Sequence, residues 1–178
     1  PMMGKLLTKE EAENAWVTKT MSGLIVLPAD SSIARRSEVT VRHMLNRAKS
    51  ACIQCSFCSQ LCPRALLGHP LKPHRIMRKL ASCHDITEIL DDSDIRNAAL
   101  CCECGICEIF ACPMGLQPRR INGILKGELA KAGLRYQRPE GEWKADPDRN
   151  MRKAPTGRVA SRAGVVAYES VLIEELVM

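Results

Sequence analysis

The chain of 178 residues carries a formal net charge of +6 and ten cysteines, but only two each of Trp, Tyr and Phe. That length allows one domain or two small ones, and so little aromatic area implies that something besides a large apolar core holds the fold together. Scarce aromatics and dispersed Arg and Lys exclude a nucleic-acid binder that stacks bases, and the longest apolar stretch, GLIVLPA, is far too short for a transmembrane span.

The chain begins PMMGKLL, with Pro1 in place of an initiator methionine, and reads as the C-terminal part of a longer protein. EEAENAW predicts a short helical turn. Val17, Thr18, Leu24, Ile25, Val26 and Leu27 predict one or two strands, so residues 1–34 are expected to end a small β-rich domain. From SEVTVRHMLNRAKSA the period turns helical: Ser37 is a candidate N-cap, and Val41, Met44, Leu45 and Ala48 share one face. Further helices are predicted near 73–82, 93–101 and 118–132, with DDSD at 91–94 supplying caps to the second of these. Pro139, Gly141 and Pro147 then break regular structure, so 136–178 reads as a linker or a chain wrapped over the surface. Within it, RVASRAGVVAYESVLIEELVM is amphipathic, an ordinary terminal helix or a docking helix. The expected class is α+β, with a mainly α-helical two-cluster module at 35–135 following the β-rich segment.

The cysteines explain the module. Cys52, Cys55, Cys58 and Cys62 follow C-x2-C-x2-C-x3-C-P, the run that binds [4Fe–4S] clusters in two-cluster ferredoxins. Two-residue gaps let a tight loop present three thiolates to one cluster, and the closing proline turns the chain away. Cys101, Cys104, Cys107 and Cys112 repeat the run, but with one extra residue before Cys112 and a fifth thiol, Cys102. The extra residue predicts a local bulge. The repeat extends further: LKPHRIMRKL at 71–80 and LQPRRINGIL at 116–125 share L-x-P-x-R-I, with each proline suited to a helix's first turn. Zinc is the competing metal, yet zinc sites pair one C-x2-C with another across a longer spacer. If each run's fourth cysteine serves the other cluster, Cys52, Cys55, Cys58 and Cys112 form one set. Cys101, Cys104, Cys107 and Cys62 form the second. Two oxidised clusters of roughly −2 each would also offset most of the positive charge.

Other reactive residues have plainer readings. Cys102 breaks the two-residue gap to Cys104 and reads as a small buried neighbour, and Cys83 as a half-buried thiol at a helix end; a third metal site from Cys83 and His84 is the sharper alternative. His43, His69 and His74 have no partners at ligand spacing. Arg75 and Arg120, at the repeated arginine, suit either hydrogen bonding near the thiolates or structural salt bridges. No catalytic triad, phosphate loop or carboxylate pair appears, so the chain reads as a carrier of electrons. Dense reduced cysteines place it in the cytoplasm.

PMMGKLL, VTKTMSGLIVL, ACIQCSFCSQLCPRALLGH, CCECGICEIFACPMGLQPRRIN and RKAPTGRVASRAG together resemble the C-terminal half of the RnfC-like family of iron–sulfur electron-transfer proteins. Within that family the resemblance is to the cobalamin reductases of propanediol-utilization microcompartments. The long gap before Cys112 belongs to that resemblance, as does a variable residue after the first cysteine, which favours Cys101 as ligand. The resemblance implies a flavin- and nucleotide-binding region before Pro1 and an SLBB-like identity for the β-rich segment. It implies electron flow from NADH through FMN and two [4Fe–4S] clusters to cobalamin. An adenosyltransferase and microcompartment shell proteins are then the expected partners, and the interior of a bacterial microcompartment the expected setting. Two alternatives stay open: a relay or docking subunit of an RnfC-type NADH:ferredoxin oxidoreductase, and a microcompartment redox protein that recycles another cofactor.

Overall fold

The computed structural model describes residues 7, 9–17, 19, 26–138, 141 and 143–164. Among them every regular element is helical, so the described fold is mainly α rather than α+β. Helix α1 spans Lys9–Glu13 and α2 spans Ser32–Ser37. Val17, Val26 and Leu27, expected on strands, lie in irregular backbone, with Val17 and Val26 almost fully exposed. A strand needs a neighbour to satisfy its backbone, and the described residues supply none. Thr18, Leu24 and Ile25 lie outside the described residues.

Helix α3 spans Val41–Ala51 and starts at Thr40, whose hydroxyl accepts from the His43 amide. The expected cap, Ser37, instead closes α2 by donating to the Ala34 carbonyl at 2.6 Å. Thr40 wins because it immediately precedes the first apolar position, where a cap satisfies the free amides. Short helices α4 (Phe57–Gln60) and α5 (Pro63–Leu66) follow, then α6 (Pro73–Ser82) at its predicted bounds. The helix predicted over 93–101 divides into α7 (Ser93–Arg96) and a tighter 3-10 turn at Asn97–Leu100. Helix α8 spans Pro118–Lys131, and Pro73 and Pro118 each sit in the first turn of their helix, where a missing amide hydrogen is harmless.

The two halves pack alike. α3 lies on α6, the 97–100 turn lies on α8, and α6 meets α8 between the halves. Ala48, Ile76, Leu80, Ile95, Ala98, Ile121 and Leu125 are almost wholly buried in the shared core. Each large aliphatic there contributes about 1.5–3 kcal/mol of apolar burial, enough in sum to position the loops that precede α6 and α8. Among the described residues, no helix is long and apolar enough to cross a membrane.

The segment after α8 returns over the first half. The Asp146 amide bonds the Leu66 carbonyl at 2.8 Å, and the Trp143 ring lies 4.3 Å from the His69 ring. Gly68 permits this approach: its φ is +90°, and an added Cβ would stand 2.5 Å from the Lys144 carbonyl oxygen. Helix α9 (Thr156–Ala163) buries Val159 and Ala163 and packs against α2 and the 107–111 segment. Residues 165–178 lie outside the described residues.

Candidate metal centre

Both cysteine runs fold into the same loop. Gln54 and Ser56 in the first have φ of 57° and 61°, and Glu103 and Gly105 in the second have 57° and 80°. Alternating left-handed residues turn successive amides towards one concave side, a geometry suited to anionic ligands. The Glu103 amide accordingly donates to Cys101 Sγ at 3.4 Å. Gln54 Nε2 donates to Cys52 Sγ at 3.4 Å, and the Leu116 amide to Cys112 Sγ at 3.3 Å.

The irregular gap has a structural form. The three residues between Cys58 and Cys62 lie on and just after α4, whereas Cys107–Ala111 forms a π-helical turn. A π-turn holds one more residue than an α-turn, so the inserted position is absorbed inside the helix. α4 packs against this π-turn, and each run's last cysteine therefore arrives beside the other run's loop.

Two cavities result. Cys52, Cys55 and Cys58 line the first together with Cys112, in about 340 Å³ of space partly open to solvent. Cys101, Cys102, Cys104 and Cys107 line the second together with Cys62, in about 300 Å³ of space that likewise includes open solvent. The first set is half-buried, whereas Cys62, Cys101 and Cys107 in the second are buried. Among the described residues no three His, Cys, Asp or Glu side chains are drawn together tightly enough for a single metal ion. The thiols instead ring two wider spaces.

Crowding and burial favour the protonated form of several of these thiols. Burial, then the neighbouring Cys112, Cys52 and Cys55, pushes the Cys58 thiol up to about 12. Burial raises Cys107 well above its usual value, with Glu108, Cys101, Cys62 and Cys104 adding to it. Burial raises Cys104 to about 11, with Cys102 and Cys62 among the contributing neighbours. Each thiol therefore feels the opposite run's last cysteine. Each cavity offers at least four thiols, the soft donor set that iron–sulfur clusters use, and binding there must displace protons.

Residues 51–117 match the family model described as a 4Fe-4S dicluster domain. The matched segment contains both cysteine runs. Over 98% of its length the chain is 38% identical to the cobalamin reductase PduS of Salmonella typhimurium. Over 93% of its length it is 38% identical to the cobalamin reductase PduS of Citrobacter freundii. The chain spans 37% and 35% of these two relatives respectively. No solved structure gives a significant match.

Beyond the eight run cysteines, the repeated arginines take the structural one of their two expected roles. Arg75 makes an exposed 3.5 Å ion pair with Asp94, and Arg120 bonds the carbonyls of Arg36 and Val39 at 2.9 and 3.0 Å. Neither lines a cavity. One position earlier in the repeat, His74 lines the first cavity and Arg119 the second. Three residues further on, Met77 lines the first and Asn122 the second. His74 was expected to have no role at the thiols, and Met77, Arg119 and Asn122 were not expected there, although helical spacing from the repeated proline points to all four.

The remaining candidates have structural partners. Cys83 is buried and donates to the Leu80 carbonyl, while the adjacent His84 is exposed. Cys102 is half-buried beside Cys104 at the second cavity. His43 is exposed, His69 contacts Arg64 at 3.3 Å, and His74 Nδ1 lies 2.7 Å from Ser59 Oγ. Glu108, next to Cys107, is buried and pairs with Arg119 at 2.9 Å.

Proposed function

We propose that the chain is the iron–sulfur electron-transfer part of a longer, flavin-dependent NADH oxidoreductase that reduces cobalamin. The observation that carries this reading is the pair of cavities: Cys52, Cys55 and Cys58 line one with Cys112, and Cys101, Cys102, Cys104 and Cys107 line the other with Cys62. Cys52, Cys55, Cys58 and Cys112 hold one [4Fe–4S] cluster, and Cys101, Cys104, Cys107 and Cys62 hold the second. The clusters supply one-electron carriage. The chain's own residues position that chemistry: the left-handed loops present amides to the thiolates, α6 and α8 wall the cavities, and the crossed cysteines tie the halves together. Neighbouring sites that interleave their ligands are close enough for electrons to pass between them.

The names of the relatives support cobalamin as the acceptor. The short span of the chain within those relatives supports a further region with FMN and NADH sites outside it. Residues 1–34 then end a β-rich domain, 35–135 form the electron-transfer unit, and 136–178 form an extended segment over its surface. An adenosyltransferase that takes up reduced cobalamin and shell proteins of a cytoplasmic microcompartment complete the proposed setting.

The test is anaerobic assay of the full-length protein. NADH oxidation coupled to cob(III)alamin reduction, with iron and sulfide each near about eight per chain, is the expected result. Reduction of ferredoxin with no reduction of cobalamin would overturn the acceptor and favour an RnfC-type relay. Stoichiometric zinc without iron or sulfide would overturn the clusters themselves.

A further inference from the structure

Asn122 is only 1% exposed, and neither its Nδ2 nor its Oδ1 makes a hydrogen bond of ordinary geometry within the protein, although the amide is near enough to Cys101 to work against the rise in that thiol's pKa. Leaving a buried amide unpaired costs roughly 1–3 kcal/mol, so a position that retains one calls for a partner. Its side chain lines the second cavity beside Cys101, Cys104 and Cys107. The equivalent position in the first half of the repeat is Met77, also 1% exposed and lining the first cavity. The repeat thus places an amide donor against one set of thiols and an apolar thioether against the other.

The two cavities differ in a second respect. Thiols of the second are mostly buried and those of the first half-buried. Burial disfavours the more negative, reduced form of a cluster, and hydrogen bonds to thiolate sulfur favour it. On the two-cluster reading above, we infer that Asn122 Nδ2 donates a hydrogen bond to the sulfur of the second cluster and raises its potential. The amide offsets the effect of burial, keeping the buried cluster reducible by its more exposed neighbour. Asn122 is therefore a tuning residue for one cluster alone. Arg119 also lines this cavity with its Nε on Glu108, and it is left unchanged in the test so that a shift reports Asn122.

The experiment compares wild-type full-length protein with Asn122→Leu, which keeps similar volume and removes the donor. Iron and sulfide are quantified, both midpoints are followed by EPR-monitored potentiometry, and pulsed EPR is recorded with 15N-asparagine labelling. The expected result is unchanged iron, one midpoint shifted to lower potential, the other unmoved, and loss of an asparagine 15N coupling present in wild type. Unmoved midpoints in a fully loaded variant would overturn the inference. Where the variant loads poorly, wild type decides: absence of an asparagine 15N coupling overturns it equally. Wild-type protein that binds no iron and sulfide would instead fail the two-cluster reading, and this inference with it.

Discussion

Replacing Gly68 with alanine should loosen the segment that follows α8, because the return of that segment depends on the missing Cβ. The new methyl would stand 2.5 Å from the Lys144 carbonyl oxygen and 2.8 Å from its carbon. Restoring ordinary contact requires Lys144 to retreat by about 0.9 Å. The Asp146–Leu66 hydrogen bond, 2.8 Å long, would then stretch to about 3.7 Å and cease to count as a bond. Its loss is worth about 1 kcal/mol, and holding alanine at a φ of +90° adds about 1–2 kcal/mol. The total destabilisation is about 2–3 kcal/mol. Gly133→Ala is the control: its φ is +68°, but nothing lies within 4 Å of an added Cβ. Urea unfolding of the cluster-loaded protein should place Gly68→Ala about 1 kcal/mol below Gly133→Ala. In a Trp16→Phe background, emission from Trp143, whose ring is tilted against that of His69, should shift to the red only in the Gly68 variant. Equal losses in both variants with unchanged emission would refute the packing argument.

Stability should also fall as pH drops from about 7.5 towards 5.5, within the ordinary histidine range. Burial, and then the nearby Arg64 and Arg138, holds His69 below its usual value. The unfolded chain therefore binds a proton that the folded chain resists, and stability rises with pH across that interval. His69→Gln should flatten the slope in denaturant midpoints, and an unchanged slope would contradict the assignment. Arg119→Leu should destabilise by about 3 kcal/mol, since it strands the buried Glu108 side chain. Adding Glu108→Gln should recover part of that loss in a double-mutant cycle. Removing iron with a chelator should abolish most helical far-UV circular dichroism, because the proposed crossed ligand sets would make metal binding and folding one process; retained helicity would show that the core stands alone.

The features legible in the sequence were those set by short-range spacing. The cysteine gaps fix loop geometry within a few residues, and Pro73 and Pro118 mark where α6 and α8 begin. The inserted residue before Cys112 predicted a bulge, and the π-turn is its form. Features set by direction or distance were harder to find. Arg75 and Arg120 drew notice because they repeat, but each is turned about 100° around its helix from the preceding residue. His74 and Met77, three positions apart, share the face that meets the first loop, as Arg119 and Asn122 share the face that meets the second. The expected strand residues Val17, Val26 and Leu27 are β-branched or apolar, but propensity forms no strand without a neighbour. The contact of Gly68 with Lys144 joins positions far apart in the chain, and no local pattern announces it.

Two double variants test the crossed ligand sets most directly. Cys62 and Cys104 come from different runs but line the same cavity, whereas Cys58 and Cys62 share a run but line different cavities. Anaerobic iron and sulfide analysis of Cys62→Ala/Cys104→Ala should find about four of each, because the Cys52, Cys55, Cys58 and Cys112 set remains whole. Cys58→Ala/Cys62→Ala should retain no complete set and bind little of either. The reverse pattern, with iron and sulfide kept by the same-run pair and lost by the cross-run pair, would contradict the crossed arrangement.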